Sequence, residues 1–113
     1  MKNRRLRFTA TAQEHLRREK AWWWANRDHT DVFTEEVEQA LQIIAALPGA
    51  GTLYAKSPVP GVRRVYLRRV AVHLYYTFDD TRVIVRALWG ARRERGPRRA
   101  RDGDAELPVA RGQ

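Results

Sequence analysis

Two arginines, two tyrosines and a histidine are the residues of this chain whose types and spacing could do chemistry. They are Arg64, Tyr66, His73, Tyr75 and Arg86, and all lie between residues 62 and 89. A guanidinium group binds anions, and an imidazole or a phenol can transfer a proton. Whether the five act together depends on whether the backbone brings them to one surface.

The segment that carries them is typical of a three-stranded antiparallel meander. The predicted strands are Val62 to Arg69, Ala71 to Phe78 and Val83 to Trp89, all rich in Val, Tyr and Leu. Such residues suit a pleated surface. The breaks fall at residues 69–70 and 79–82, which leaves two short connections between three consecutive strands.

Symmetric folding of both hairpins predicts the register. Val65 then lies opposite Leu74, Leu67 opposite Val72, Phe78 opposite Val83, Tyr76 opposite Val85 and Leu74 opposite Ala87. Because side chains alternate with a period of two, one face is almost wholly apolar. The other face carries Arg64, Tyr75 and Arg86 in one row and Tyr66, His73 and Leu88 in the next. The sequence therefore predicts a basic and aromatic face.

The same residues also have a purely structural interpretation. Arg64 and Arg86 on either side of Tyr75 can form a cation–π ladder, which would stabilise the sheet by about 0.5 to 1 kcal/mol per contact. His73 facing Tyr66 can be an ordinary cross-strand pair. Both interpretations remain open beside binding and catalysis.

A first helix is predicted before the meander. Thr9 or Thr11 can cap it, Thr11 to Glu14 fits a capping box, and the helix ends at about Asn26. Its apolar stripe consists of Ala12, Leu16, Trp23 and the aliphatic stem of Glu19.

Three consecutive tryptophans stand near the end of this helix. Trp22, Trp23 and Trp24 must point about 100° apart, so they cannot all be buried. We expect Trp23 in the core. Trp22 and Trp24 are candidates for a protein interface, where tryptophan is enriched.

The second helix has the clearest periodicity in the chain. It is predicted from Val32 to Leu47, with Thr30 or Asp31 as its cap and Pro48-Gly49 as its end. Its apolar face comprises Phe33, Val37, Ala40, Leu41, Ile44 and Leu47. The two helices should form an antiparallel hairpin that shields the apolar sheet face.

These elements predict one α+β domain. Residues 3–8 form an N-terminal strand, the helical hairpin packs on one face of a mainly antiparallel, curved sheet of three to four strands, and the basic face stays bare. Residues 48–61 connect helix to sheet, with residues 53–55 briefly extended. The domain is predicted to span residues 1–99, followed by a flexible C-terminal tail at 100–113.

Charge is distributed unevenly along the chain. The formal net charge is +9, yet residues 9–47 hold four basic and seven acidic side chains. Residues 62–100 hold eleven basic and three acidic ones. Such a surface attracts polyanions or acidic protein segments. The alternative is a merely solubilising surface.

Several classes of protein are disfavoured. The chain has no cysteine, and its histidines, at 15, 29 and 73, are scattered, so neither disulfides nor a metal site are expected. No apolar run is long enough for a membrane helix, and the N-terminus lacks the apolar region of a secretory signal. We expect a cytoplasmic protein without a cofactor.

Several short motifs in series resemble a known family. They are Leu47-Pro48-Gly49, the run from Pro60 to Arg64, His73-Leu74-Tyr75-Tyr76, and the strand Val83 to Trp89 leading into Gly90-Ala91-Arg92-Arg93 and Pro97. Together they resemble the RelE/ParE toxins of bacterial type II toxin–antitoxin systems, over about residues 6–98. The C-terminal part looks most like the ParE branch.

The resemblance implies one of two activities. RelE-type toxins cut messenger RNA on the ribosome with a basic cluster on the open sheet face and, commonly, a C-terminal tyrosine. ParE-type toxins inhibit DNA gyrase. By motif position the RelE central-strand arginine falls on His73 and the arginine after its last strand on Arg92, but no tyrosine follows Tyr76. We therefore expect a gyrase inhibitor that makes and breaks no bond.

The resemblance also implies partners and contact residues. An acidic, ParD-like antitoxin should neutralise the toxin in a hetero-oligomer, either by adding a strand to an open sheet edge or by laying a helix in a groove. The expected target- or antitoxin-binding residues are Arg64, Tyr66, His73, Tyr75, Arg86, Arg92, Arg93, Arg95, Trp22 and Trp24. The first alternative is a ribosome-dependent ribonuclease that uses His73 with Arg64, Arg86 and Arg92. The second is a non-toxic basic interaction module.

Overall fold

The computed structural model describes residues 3–26 and 31–91. Its elements are β1 (Arg5–Phe8), α1 (Ala10–Asn26), α2 (Val32–Ala46), a 3-10 turn (Pro48–Ala50), β2 (Thr52–Leu53), β3 (Arg63–Leu67), β4 (Val72–Phe78) and β5 (Arg82–Gly90). The strands form one sheet in the order β1-β5-β4-β3-β2, in which only β1 pairs in parallel. The predicted α+β class is confirmed, and the two-residue β2 adds a fifth strand.

Helix α1 begins at a threonine cap. The backbone amide of Ala12 donates to the Oγ1 of Thr9 at 3.0 Å, which satisfies one of the amides that a helix start leaves open. The capping box predicted at Thr11 is wrong, because Thr11 already lies inside the helix. The helix extends to Asn26, the last described residue before the gap at 27–30.

Helix α2 follows its predicted apolar face except at the last position. Phe33, Val37, Ala40 and Ile44 are buried, and Leu41 packs at the margin of the core. Leu47 was predicted to be buried and is 61% exposed. The helix ends at Ala46, and the backbone at Leu47 has left the helical conformation (φ −132°, ψ 79°), so its side chain no longer follows the helical face.

Both helices pack on one face of the sheet and enclose the main core. Ala12 and Trp23 of α1 and Phe33 and Ile44 of α2 meet strand residues that point to the same side. Those strand residues are Leu67, Val72, Leu74, Tyr76, Val83, Val85 and Leu88. The face predicted to be apolar is thus the face that the helices cover.

A buried hydroxyl fixes the connection between α2 and β2. Tyr76 donates its hydroxyl hydrogen to the Pro48 carbonyl at 2.6 Å and accepts from the Gly51 amide at 2.9 Å. A Cβ at position 51 would lie 2.7 Å from that hydroxyl oxygen. Glycine at this position therefore allows the backbone to approach the tyrosine.

Helix α1 also covers the outer edge of β5 where β1 ends. Thr9 Oγ1 donates to the Arg86 carbonyl at 3.3 Å, and the Leu88 amide donates to His15 Nδ1 at 3.2 Å. His15 and Glu19 are buried on this side of α1. The sequence interpretation missed His15 and placed only the stem of Glu19 in the stripe.

A β-bulge changes the predicted register between β4 and β5. Val65 faces Leu74, Leu67 faces Val72, Phe78 faces Val83 and Tyr76 faces Val85, all as predicted. Beyond the bulge, Tyr75 faces Ala87, Leu74 faces Leu88 and His73 faces Trp89. The predicted Leu74–Ala87 pair is therefore wrong. Arg86 is the extra residue of β5, and two residues opposing one is the pattern of a bulge.

Three predictions about the fold lie outside the described residues. They are the domain boundary at residue 99 with its flexible tail, the cap at Thr30, and the link between the two helices.

Candidate functional site on the open face of the sheet

The open face is the side of the sheet away from the helices. Leu74 and Tyr76 are fully buried under the helices, so alternation along β3 and β4 directs Arg64, Tyr66 and His73 to the opposite side. The pairs Arg64–Tyr75 and Tyr66–His73 stand directly opposite one another. Arg64, Tyr66 and His73 therefore lie on the same side of the sheet, as predicted.

His73 sits between two tyrosines at the centre of this surface. Its ring centroid is 4.8 Å from that of Tyr66 and 6.2 Å from that of Tyr75. Its Nδ1 is buried and has no hydrogen-bond partner within residues 3–26 and 31–91. Burial first, and the charge of Arg64 second, lower the pKa of His73 below its ordinary value. Both effects favour the neutral imidazole.

Arg64 stacks on a residue that the meander does not contain. Its guanidinium carbon lies 5.0 Å from the ring centroid of Tyr54. Tyr54 in turn packs edge-to-face on Tyr75, with centroids 5.1 Å apart. The predicted ladder of Arg64, Tyr75 and Arg86 is therefore wrong, because Tyr54 lies where the ladder would begin.

The open face is only partly bare. Val62, Tyr75 and Ala87 form a second buried cluster, with Tyr54, Val59 and Trp89 around it. Tyr75 is 3% exposed and was expected to contact a partner. The connection before β3 folds over this half of the face, so Tyr75 acts as a core residue in this conformation.

Arg86 leaves the predicted row because of the bulge. Its neighbour Ala87 stands opposite Tyr75 in its place. The guanidinium Nε of Arg86 donates to Thr77 Oγ1 at 3.0 Å, and the residue is half-buried. Arg86 and Arg64 therefore do not form one continuous cationic stripe through Tyr75.

The accessible part of the open face combines cations with an exposed ring. Tyr66 is 47% exposed beside the half-buried His73 and Arg64, and Arg68 is exposed in the turn that follows β3. Such a surface can bind anions and stack on a planar group. His73 and Tyr66 are its candidates for proton transfer.

The predicted interface tryptophans lie on α1. Trp24 is 56% exposed, whereas Trp22 is half-buried and packs edge-to-face on Trp23 at 5.5 Å. Trp23 is in the core as expected. Arg92, Arg93 and Arg95 lie outside the described residues.

A groove between α2 and β3 is a feature that the sequence interpretation did not find. Ile43 and Gln39 line one wall, and Val65 and Tyr66 line the other. Strand β2 pairs only with Arg63 and Arg64. The outer edge of β3 beyond those residues therefore borders the groove.

Within the described ranges, no three His, Cys, Asp or Glu side chains are grouped so that they could hold a metal ion. Nor does any helix there have the length and apolarity to cross a membrane.

The chain is similar in structure to solved toxins of toxin–antitoxin systems. A chain of the chromosomal ParDE system from P. aeruginosa matches with a TM-score of 0.62 at 15% identity, over 77% of this chain and 95% of that one. The E. coli RelBE complex matches with 0.57 at 20% identity, over 78% and 96%. The YoeB dimer from Staphylococcus aureus matches with 0.56 at 15% identity, over 77% and 95%.

At the level of sequence, no model of a protein family and no curated protein matches the chain. At these identities the likeness concerns the backbone. Two helices on one face of a five-stranded, mixed, open sheet is the arrangement shared with these neighbours. The chain therefore has the RelE/ParE toxin fold.

Proposed function

We propose that this protein is the toxin of a type II toxin–antitoxin system and acts as ParE-type toxins do, by binding DNA gyrase. The observation that carries the proposal is the fold, which extends over 95% of a ParDE-system chain. The basic and aromatic residues on the uncovered side supply a surface for a macromolecular target. An acidic, ParD-like antitoxin would neutralise the toxin by covering that surface.

The state of the open face supports binding over bond cleavage. Cleavage at a 2′-hydroxyl needs an acid and a base as well as stabilisation of negative charge. Tyr75 is buried beneath Tyr54, so a bound RNA could not reach its hydroxyl for proton transfer. Arg86 is directed to Thr77. The remaining surface retains what recognition needs, namely exposed Tyr66 and nearby cations.

The first test is growth arrest followed by an assay of gyrase. Induced expression of the full chain should stop growth, and purified protein at micromolar concentration should inhibit supercoiling. The Tyr66→Ala variant should weaken both effects, whereas Lys20→Ala, which removes an exposed cation on α1, should not. If expression of the chain arrests growth but the purified protein leaves supercoiling unchanged, the gyrase proposal is contradicted.

A second candidate function has one observation in its favour. His73 has a lowered pKa, lies on the open face and is adjacent to Tyr66 and Arg64. A neutral imidazole can serve as a general base near pH 7. A ribosome-dependent messenger ribonuclease that uses His73, Arg64 and Arg86 is therefore the alternative, with Arg92 included through the family resemblance.

The variant His73→Phe separates the two candidates. Phenylalanine retains an aromatic ring between Tyr66 and Tyr75 but can neither accept nor donate a proton. A gyrase binder should keep its growth arrest and its inhibition of supercoiling. A ribonuclease should lose message cleavage on ribosomes while the circular dichroism spectrum stays unchanged.

A further inference from the structure

Arg5 and Arg7 of β1 are exposed cations that the proposed function does not use. The next residue of the strand, Phe8, pairs with Val85 and packs against the main core under the helices. Because side chains alternate along a strand, Arg5 and Arg7 project to the opposite side. Both therefore belong to the open face, at the border that β1 forms.

Arg86 of β5 adds a further cation to this side. Its Nε donates to the Oγ1 of Thr77 at 3.0 Å. Thr77 follows Tyr76, whose side chain lies in the main core, so alternation along β4 directs Thr77 to the open face. The contact with Thr77 therefore holds the half-buried Arg86 on that face. We call Arg5, Arg7 and Arg86 the arginine border.

The positive charge of the arginine border is not compensated within residues 3–26 and 31–91. None of its guanidinium groups forms an ion pair there, and the hydroxyl that accepts from Arg86 is neutral. Arg82 stands opposite Arg5 in the sheet but is paired with Asp79 at 3.3 Å, so it is not part of the border. Unpaired guanidinium groups are donors for phosphate or carboxylate oxygens.

The surroundings of the arginine border favour a phosphate backbone over a protein. Of the large apolar side chains that are exposed in the described part of the chain, none projects to the open face from β1 or β5. The core of a protein interface is apolar and aromatic, and single-stranded nucleic acids are held by stacked rings. A duplex presents its phosphates without needing either, and the surfaces that bind it are polar and positively charged.

We propose that the arginine border binds the phosphate backbone of a nucleic-acid duplex. Strand β1 rises about 3.3 Å per residue, so Arg5 and Arg7 stand about 7 Å apart. Phosphates of one duplex strand follow one another about every 3.4 Å along the axis, so each arginine meets a phosphate of its own. Backbone contacts carry no sequence information, so the binding is independent of sequence. The inference does not depend on the proposed function, because it requires neither gyrase nor an antitoxin.

Binding of the full chain to labelled duplexes at several salt concentrations tests the proposal. Each phosphate contact adds about 0.9 to the slope of log affinity against log salt concentration. Arg5→Gln with Arg7→Gln should therefore lower that slope by about 2. DNA and RNA duplexes are tested separately, and a decrease with only one of them identifies which duplex is bound. An unchanged slope with both, or a decrease only with a single strand or with polyglutamate, overturns the proposal.

The matched control removes two cations from α1. Arg18→Gln with Lys20→Gln changes the net charge equally, and both residues are exposed. The slope should change by less than about 0.5. An equal decrease in both double variants would mean that net charge alone matters, which overturns the assignment to the arginine border. Arg5→Lys with Arg7→Lys keeps the charges and should restore most of the slope, which separates lost charge from a disturbed strand.

Chemical modification gives a readout at the level of single residues. Phenylglyoxal reacts with accessible guanidinium groups, and mass spectrometry identifies the modified arginines. Saturation with the duplex that binds more tightly should slow the modification of Arg5 and Arg7 severalfold and leave Arg18 unchanged. Equal protection of all three residues, or protection of Arg18 alone, would place the duplex elsewhere and refute the proposal.

Discussion

The two faces of the sheet differ in what covers them. The helix-covered face holds Leu74, Tyr76 and their neighbours in one large core, whereas the open face has a small cluster around Tyr75 and an accessible half around Tyr66 and His73. The division between buried and accessible residues therefore does not coincide with the division between the two faces. It crosses the open face, since Tyr54 and its neighbours cover one half.

The largest expected effect comes from truncation on the helix-covered face. Leu74→Ala removes a fully buried side chain and should lower the free energy of unfolding by about 2 to 5 kcal/mol. Tyr66→Ala truncates a side chain that is 47% exposed and should cost less than about 1 kcal/mol. Urea denaturation of both variants measures the contrast. Similar losses would break the distinction between the covered and accessible regions.

A smaller effect isolates a single hydroxyl. Tyr76→Phe leaves the Pro48 carbonyl and the Gly51 amide without their buried partner, which should cost about 1 to 3 kcal/mol. Tyr66→Phe removes the same atom from an exposed ring and should change stability by less than about 0.5 kcal/mol. The difference between the two midpoints in urea is the measurement. Equal midpoints would mean that the Tyr76 hydroxyl contributes no net stability.

The covered half of the open face can be probed through Tyr54. Tyr54→Ala removes the edge-to-face contact with Tyr75 and the stacking surface of Arg64. The expected loss is about 0.5 to 1.5 kcal/mol. Protease digestion should at the same time become faster in the connection before β3. If stability and digestion rate are both unchanged, Tyr54 covers this half of the face without stabilising the protein.

The smallest effect is a dependence of stability on pH through His73. Because the pKa of His73 is lower in the folded protein than the unfolded value of about 6.5, the unfolded state binds the proton more readily. The contribution of His73 is fully present above that value and is lost as pH falls below it. The gap in unfolding free energy between wild type and His73→Phe should therefore shrink from about pH 7.5 to 5.5. A gap that widens on acidification would refute the direction of the shift.

Most of the sheet was predictable because its alternation is regular up to Tyr76. The bulge was not predictable, because the symmetric register assumes one residue of β5 for each residue of β4. One signal of it was present in the sequence. The predicted register placed Leu88 on the basic face, and the extra residue Arg86 returns Leu88 to the core.

The sequence predicted which residues lie on the open face of the sheet, but not which of them another segment covers. Arg64, Tyr66 and His73 lie on the predicted side. Tyr75 does not reach the surface, because the connection predicted at residues 48–61 folds back over it. Apart from Leu53, the large apolar residues in or next to the connection at 48–61 are Tyr54, Val59 and Val62. They are spaced irregularly among glycines and prolines, so no period reveals a packing face.

The edge of β5 has a consequence for assembly. Along residues 82–85 it pairs with β1, and at residues 86–88 the side chains of Thr9 and His15 bind its peptide groups. A foreign polypeptide can hardly insert there, because it would first have to peel away the start of α1. The opposite border of the sheet is protected less, since β2 covers only two residues of β3 there.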